Sequence, residues 1–385
     1  MKPLASAPSA MPRSGIRVLL DLAAQVPDVI HLEIGQPNFP TPAHIVEAAN
    51  QAARQGFTGY TANAGLLSLR QAIADKVRRE NNIQASAENV VVTTGGMGGL
   101  FSALTAILEE GDEVLLPDPG YPNYAMIAGL CGAKVVRYPL APEEHFWPRL
   151  EVLPTLVTRR TKALVVNSPS NPTGAVIPLD IIKALVAFAQ EHDLYLISDE
   201  CYEKIVFGVS HVSPASFDPD GRVISVFSFS KTYAMTGWRV GYTVASGQIT
   251  AIIAKLQEAT VSCASSVSQK AAEAALSGPQ DCVQAMVDAY RNRRDLALQI
   301  LQRYGLPACT PQGAFYLMVD ISRATDDSDR FARALLMDRH VAVAPGSTFG
   351  PAGNHYVRVS LAASEQALQE GLERLCAYIL DGGYH

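Results

Sequence analysis

The stretch RVISVFSFSKTYAMTGWRVGY, residues 222–242, opens as an apolar run and ends that run on an isolated lysine, Lys231. An isolated arginine, Arg239, follows in an otherwise uncharged segment. A short run of β-branched and aromatic residues reads as a buried strand. Four earlier runs have the same character: NVVVTT (Asn89–Thr94), DEVLLP (Asp112–Pro117), KALVVN (Lys162–Asn167) and LYLISDE (Leu194–Glu200). Helix-like segments such as GLFSALTAILEE and LDIIKALVAFAQEHD lie between them. Short apolar runs alternating with helical stretches specify an α/β architecture, a mostly parallel sheet flanked by helices.

The C-terminal part is built differently. A long charged helix is expected from about Cys282 to Tyr304, then shorter strands at AFYLMVD and HYVRVSL and a final helix from Ser364. These describe a smaller α+β domain. The expected division is an N-terminal arm (residues 1–45) packing with the small domain, a large domain (46–285) and the small domain (286–385).

The 385 residues are 48% hydrophobic and 18% charged, a globular composition rather than a disordered one. No apolar run reaches the length of a membrane span. The opening MKPLASAPSAMPRSG lacks the hydrophobic centre of a secretory signal and reads as a flexible tail. Six scattered cysteines without a C-x-x-C pair suit reduced thiols in the cytoplasm better than disulfides or a zinc site. A net charge of −6 without basic clusters argues against nucleic acid as a partner. The eight histidines lack H-E-x-x-H spacing, which argues against a metal hydrolase.

In open α/β sheets, ligands gather at the carboxyl ends of the strands. After KALVVN comes SPSNPTG, with Asn171 in a proline-bounded turn; after LYLIS come Asp199 and Tyr202; after VISVFSFS comes Lys231. Singly these are a turn, a helix cap and a solvated lysine. At one sheet edge they suit one ligand, pyridoxal 5'-phosphate. Its aldehyde takes an amine, its ring nitrogen keeps a proton beside a carboxylate such as Asp199, and its 3-oxygen takes donors such as Asn171 and Tyr202. TTGGMGG (Thr93–Gly99), where a strand gives way to a helix, could turn the N–H groups of Gly96 and Met97 towards the phosphate. Alone this turn is a weak signal; the Ser228 hydroxyl and the Arg239 guanidinium suit the remaining phosphate oxygens.

The segment SFSKTYAMTGWRVG resembles the lysine signature of the class I/II pyridoxal-phosphate aminotransferases of fold type I, at every specified position. NSPSNPTG resembles that family's cofactor-loop motif, SDECYE its Asp-x-x-Tyr motif and VRVSLA (Val357–Ala362) its carboxylate-binding strand. IGQPNFPTP (Ile34–Pro42) and YTANAGLLSLR (Tyr60–Arg70) resemble its substrate loop and dimer-contact segment. The matches keep the family's order and run nearly end to end. The resemblance implies a homodimer with shared active sites at the subunit interface. It makes Lys231 the Schiff-base lysine, stacks Tyr121 of PDPGYPNY on the cofactor ring and sends Tyr60 to the phosphate of the neighbouring subunit. It makes Arg358 the bidentate clamp on the substrate's α-carboxylate, helped by Asn171 and the Gly35 backbone. Without the resemblance, Tyr121 is equally a packed turn residue, Tyr60 a surface or core tyrosine and Arg358 part of a surface ion pair.

The activity so implied is ping-pong transamination. An L-amino acid leaves its amino group on the cofactor as pyridoxamine phosphate, and a 2-oxo acid such as 2-oxoglutarate or pyruvate collects it. Lys231 moves the α-proton as base and then as acid. Relatives that prefer dicarboxylates carry a lysine in the glycine turn. Met97 stands there and suits apolar contacts, which favours a neutral or aromatic donor over aspartate. Asn38 and Cys201 depart from the commoner family residues at positions without a part in the chemistry. SGIRVLLDLA (Ser14–Ala23) is expected at the substrate entrance. An alternative is a carbon–sulfur β-lyase on the same scaffold. A remoter one is a non-catalytic cofactor-binding regulator, for which the tail before Ser14 is too short to hold a DNA-binding module.

Overall fold

The computed structural model describes residues 2–381. In chain order the strands are β1 (Ile30–His31), β2 (Val90–Thr93), β3 (Glu113–Asp118), β4 (Lys134–Pro139), β5 (Thr161–Asn167) and β6 (Tyr195–Asp199). They continue with β7 (Val223–Ser228), β8 (Gly241–Val244), β9 (Tyr316–Asp320), β10 (Val341–Ala342), β11 (Ala344–Pro345) and β12 (Tyr356–Ser360).

Seven strands form one sheet in the order β2-β8-β7-β6-β5-β3-β4. Only β8 is reversed, antiparallel to both β2 and β7; the other pairs are parallel. The five apolar runs of the sequence are β2, β3, β5, β6 and β7. Two strands were not expected. β4 is a half-buried edge whose Lys134 and Arg137 interrupt its apolar pattern. β8 is GYTV, which lies hidden behind the Arg239 motif and begins on a glycine.

The near-continuous apolar character of the strands follows from helices on both faces. Along β5, Ala163 and Val165 pack with Leu100, Leu104 and Ile107 of the helix Gly95–Ile107. Their neighbours Leu164 and Val166 pack on the opposite face with Ile182, Leu185 and Val186 of the helix Leu179–Glu191. Each buried Val or Leu contributes about 1.5–3 kcal/mol of transfer free energy.

β9, β11 and β12 form a separate antiparallel sheet in the order β11-β12-β9. The helices Asp281–Arg303 and Glu365–Leu380 cover it, the second capped by the Ser364 hydroxyl accepting from the Ala367 N–H. N-terminal residues join this layer: β1 pairs in parallel with β10, and Leu19, Ala23 and Leu32 share a core with Leu336, Val357 and Leu372. Among the described residues no helix is long and apolar enough to cross a membrane.

Candidate active site

A cavity of about 1110 Å³ opens at the carboxyl ends of the central strands and reaches across to the smaller sheet. Every site residue expected from the sequence lines it except Tyr60, which points away and is 92% exposed.

The strand ends are tied to one another. Asn167, the last residue of β5, accepts from the Asn171 N–H at 2.8 Å and donates to the Asp199 carbonyl at 3.0 Å. The side chain of Asp199 is buried. Its Oδ2 accepts from the Tyr124 phenol at 2.5 Å and its Oδ1 from the Cys201 N–H at 3.1 Å. Burial pushes the Asp199 pKa up and these hydrogen bonds pull it down; burial wins, and the pKa is raised. A buried carboxylate of this kind is short of a cation.

Lys231 follows β7 on the single turn Phe229–Thr232, which the Ser228 hydroxyl caps by accepting from the Ser230 N–H at 3.2 Å. Its Nζ donates to the Gly35 carbonyl at 2.6 Å. Burial, reinforced by the cations Arg358 and Arg239, lowers its pKa from 10.5 to about 8. The amine is thus partly neutral near physiological pH.

Where β2 gives way to the helix Gly95–Ile107, three groups converge. Gly95 has φ of +73°, and a Cβ there would lie 2.6 Å from Arg239 Nη2. A Cβ on Gly96 would lie 2.5 Å from Cys201 Sγ and 3.7 Å from Ser228 Oγ. The glycines therefore admit the guanidinium and the hydroxyl to the first turn, whose N–H groups lack helical acceptors. Arg239 is itself held by the Thr94 and Thr236 carbonyls at 3.2 and 3.1 Å. This is a phosphate cradle in its donor chemistry.

Arg358 projects from β12, opposite Val357 and Val359, which enter the core. It is 1% exposed and makes no ion pair among the described residues, so it is not the surface salt bridge that its residue type alone suggests. Its Nη1 donates to Asn171 Oδ1 at 3.0 Å and its Nη2 to the Glu33 carbonyl at 2.5 Å. The guanidinium lies 4.2 Å from the ring centre of Tyr316.

Several residues in the cavity wall or directly behind it are not evident from the sequence. Tyr124 stands in the same PDPGYPNY segment as Tyr121 and is buried against Asp199. Tyr316, inside the strand expected at AFYLMVD, exchanges a 2.8 Å hydrogen bond with the Tyr202 phenol. A Cβ on Gly35 would strike the Tyr316 hydroxyl, which accounts for glycine there. Glu33 is fully buried, with Oε1 on His31 Nδ1 at 2.8 Å and no partner for Oε2. Cys201, expected to be remote from the chemistry, lines the cavity; burial pushes its thiol up, well above 9.0. Asn38 instead accepts from Arg293 at 2.8 Å. The opening residues are not simply a loose tail: Ser6–Ala10 form a short helix, and Met11 to Ser14 line the cavity mouth. The helix Gly15–Ala23 adds Ile16, Arg17 and Leu20 to that mouth.

An amine poised near neutrality, a buried carboxylate short of a cation, an anion cradle and a buried guanidinium thus face one space. They fit pyridoxal phosphate together with an amino acid, and define the chain as an enzyme of that cofactor class. The family model for aminotransferases of class I and II matches residues 27–375. The chain is 42% identical over 359 residues to the aspartate/prephenate aminotransferase of Thermus thermophilus, covering 92% of each. It is 38% identical to aromatic-amino-acid aminotransferase 2 of Thermococcus litoralis, covering 94% of each. The solved structure of the Thermus thermophilus aspartate aminotransferase with maleate superposes with a TM-score of 0.94 at 40% identity, over 99% of this chain and 100% of that one. The chain belongs to the class I and II aminotransferase family. It is a pyridoxal 5'-phosphate-dependent aminotransferase, moving an amino group from an amino acid to a 2-oxo acid.

Proposed function

We propose that the preferred donor is a neutral or aromatic L-amino acid, and that the enzyme works as a homodimer in the cytoplasm. The observation that carries the donor class is the environment of Met97. Its sulfur accepts from Asn123 Nδ2 at 3.6 Å, and Leu100, Met126, Ile16 and Leu20 also line the cavity. This apolar lining suits an uncharged side chain. Six free thiols fit a reducing compartment.

The chemistry that pyridoxal phosphate supplies when bound is an electron sink that acidifies the substrate's α-hydrogen. Arg358, braced by Asn171, binds the α-carboxylate through two parallel N–H donors and so orients the α-carbon towards Lys231. The neutral amine of Lys231 takes the α-proton and, as the ammonium, gives it back. Asp199, positioned by Tyr124, would keep its negative charge at the buried strand end and hold the ring-nitrogen proton. Gly96 and Met97 N–H groups, Ser228, Arg239 and Tyr60 of the partner subunit would hold the phosphate. Asn171 and Tyr202 would donate to the 3-oxygen, and Tyr121 would cover the ring. Residues 46–285 would form the cofactor-holding domain, with the arm (1–45) packing against the small domain (286–385).

Absorbance of the purified holoenzyme with single amino acids, and no oxo acid, tests this reading. Neutral or aromatic amino acids should bleach the visible cofactor band fastest, and Lys231→Ala should abolish turnover with the fold intact. Fastest bleaching by aspartate would overturn the donor class. Pyruvate accumulating under a persistent band would establish the β-lyase instead.

A further inference from the structure

Glu33 and Arg358 are neighbours that do not pair. Arg358 Nη2 donates to the Glu33 carbonyl at 2.5 Å, which fixes the two residues side by side. Both are buried, at 0% and 1% exposure. Each carries a buried atom, Glu33 Oε2 and Arg358 Nε, that finds no hydrogen-bond partner among the described residues. One atom is an acceptor and the other a donor. A direct ion pair would satisfy both, and buried charges ordinarily take that course. Burial also pushes the Glu33 pKa up by more than His31 and Arg358 pull it down, so this carboxylate is under-compensated where it stands. Among the described residues Arg358 nevertheless makes no ion pair.

Both partners are held from the outside. Glu33 Oε1 lies 2.8 Å from His31 Nδ1, and since a carboxylate only accepts, Nδ1 carries the proton. His31 is fixed in β1, where it pairs with Ala342 of β10, and its ring is exposed. The bond therefore draws the carboxylate towards the surface. Arg358 is held by Asn171 Oδ1 at 3.0 Å from Nη1, and by the rings of Tyr316 and Phe349, 4.2 and 5.0 Å from the guanidinium. A Glu33 carboxylate free to turn would occupy donors that the substrate's α-carboxylate needs.

We infer that His31 is a positioning residue for transamination: it tethers the Glu33 carboxylate away from Arg358 and keeps the guanidinium open to the α-carboxylate of each substrate. This rests on Arg358 as the carboxylate clamp and adds what keeps that clamp available. The tether acts on the one group that amino donors and oxo acceptors share. Its loss weakens binding without changing which side chain is preferred, and it leaves proton transfer at Lys231 intact once substrate is bound.

The test is binding of 3-phenylpropanoate to the holoenzyme by calorimetry, with 3-phenylpropanamide as its uncharged counterpart. Neither carries an amine or a ketone to react. The wild-type protein should prefer the carboxylate, and Arg358→Gln should abolish that preference; a preference that survives refutes the clamp, and the tether with it. His31→Ala should weaken binding of the carboxylate about tenfold or more, the weight of one charge-assisted contact, and leave the amide unchanged. Adding Glu33→Gln to His31→Ala removes the competing charge and should restore carboxylate binding. His31→Asn, whose amide sets a donor near the place of Nδ1, should retain most of it. In turnover, His31→Ala should raise KM for different amino acids by one common factor, with kcat at saturation preserved. Undiminished carboxylate binding in His31→Ala, a loss shared by the amide, or a loss that Glu33→Gln does not restore overturns the assignment. The clamp is scored by Arg358→Gln and the tether by the His31 variants, so the two fail in different proteins.

Discussion

The Tyr124 phenol donates to the Asp199 carboxylate across 2.5 Å, tying the helix Asn123–Leu130 to the end of β6. Burial and the neighbouring carboxylate push the phenol's own pKa far up, so it acts as a donor at all working pH values. Its hydrogen bond is the largest of the contributions that pull Asp199 down against burial. In Tyr124→Phe the Asp199 pKa should therefore rise further, and the negative charge facing the cofactor ring should weaken. Affinity for pyridoxal phosphate, read by absorbance titration of the cofactor-free protein, should fall about tenfold or more. Unchanged affinity would show that Asp199 is held well enough by the Cys201 N–H alone.

The Lys231 amine should titrate near pH 8 in the cofactor-free protein. The rate at which a small acylating reagent modifies it, followed by mass spectrometry, should rise with a midpoint there, whereas exposed lysines rise near their ordinary 10.5. The same shift affects stability with a definite sign. Between about pH 8 and 10.5 the unfolded chain keeps a proton on this amine that the folded chain has lost. Through this group, stability therefore rises with pH across that window and is flat below it. Lys231→Met should remove that slope.

Lys76 and Glu203 form a buried ion pair completed by Asn81, which accepts from Lys76 at 2.9 Å and donates to Glu203 at 2.7 Å. The pair joins the helix Leu67–Asn81 to the loop after β6 that also carries Tyr202. Burial alone would raise the Glu203 pKa, but Lys76, Lys204 and Asn81 outweigh it and leave it lowered. Its contribution to stability is thus present above the unfolded value of 4.5 and is lost as pH falls through the lower folded value. Lys76→Met strands a buried carboxylate and should cost about 3–5 kcal/mol, measured by denaturant unfolding. The double variant Lys76→Met/Glu203→Met should recover much of that and lose the acid-dependent part. A double variant no more stable than the single one would mean that the pair's geometry, not its charge, holds the loop.

What the sequence made legible were features that a single segment contains. The runs that became β5, β6 and β7 are apolar because both faces are covered, and the residues at their ends share an edge because parallel strands end together. Lys231, Asp199 and Asn171 could be assembled from that rule alone. Features made between distant segments were not legible. Asp199 meets Tyr124 only because the strand order sets β5 between β6 and β3, bringing the helix after β3 to the end of β6. Tyr316 and Arg17 reach the cavity from the other layer, and nothing local distinguishes them from a core tyrosine or a solvated helix arginine. β8 was missed because four residues beginning with glycine carry too little periodicity to be separated from the loop that holds Arg239.

Tyr60 gives the remaining prediction, since in one subunit it is 92% exposed and close in sequence to Leu67, which is 68% exposed. Large apolar side chains displayed at both ends of one short segment suit an interface between copies of this chain. If Tyr60 serves the site of the partner subunit, Tyr60→Ala and Lys231→Ala each disable both sites of their own homodimers. A mixed dimer is different: one of its sites combines an intact Lys231 with an intact Tyr60 from across the interface. Mixing the two inactive proteins under conditions that exchange subunits should therefore restore activity above either parent, while sedimentation reports a particle of two chains throughout. Were Tyr60 to act within its own subunit, no pairing would yield an intact site, and the mixture would stay as inactive as its components.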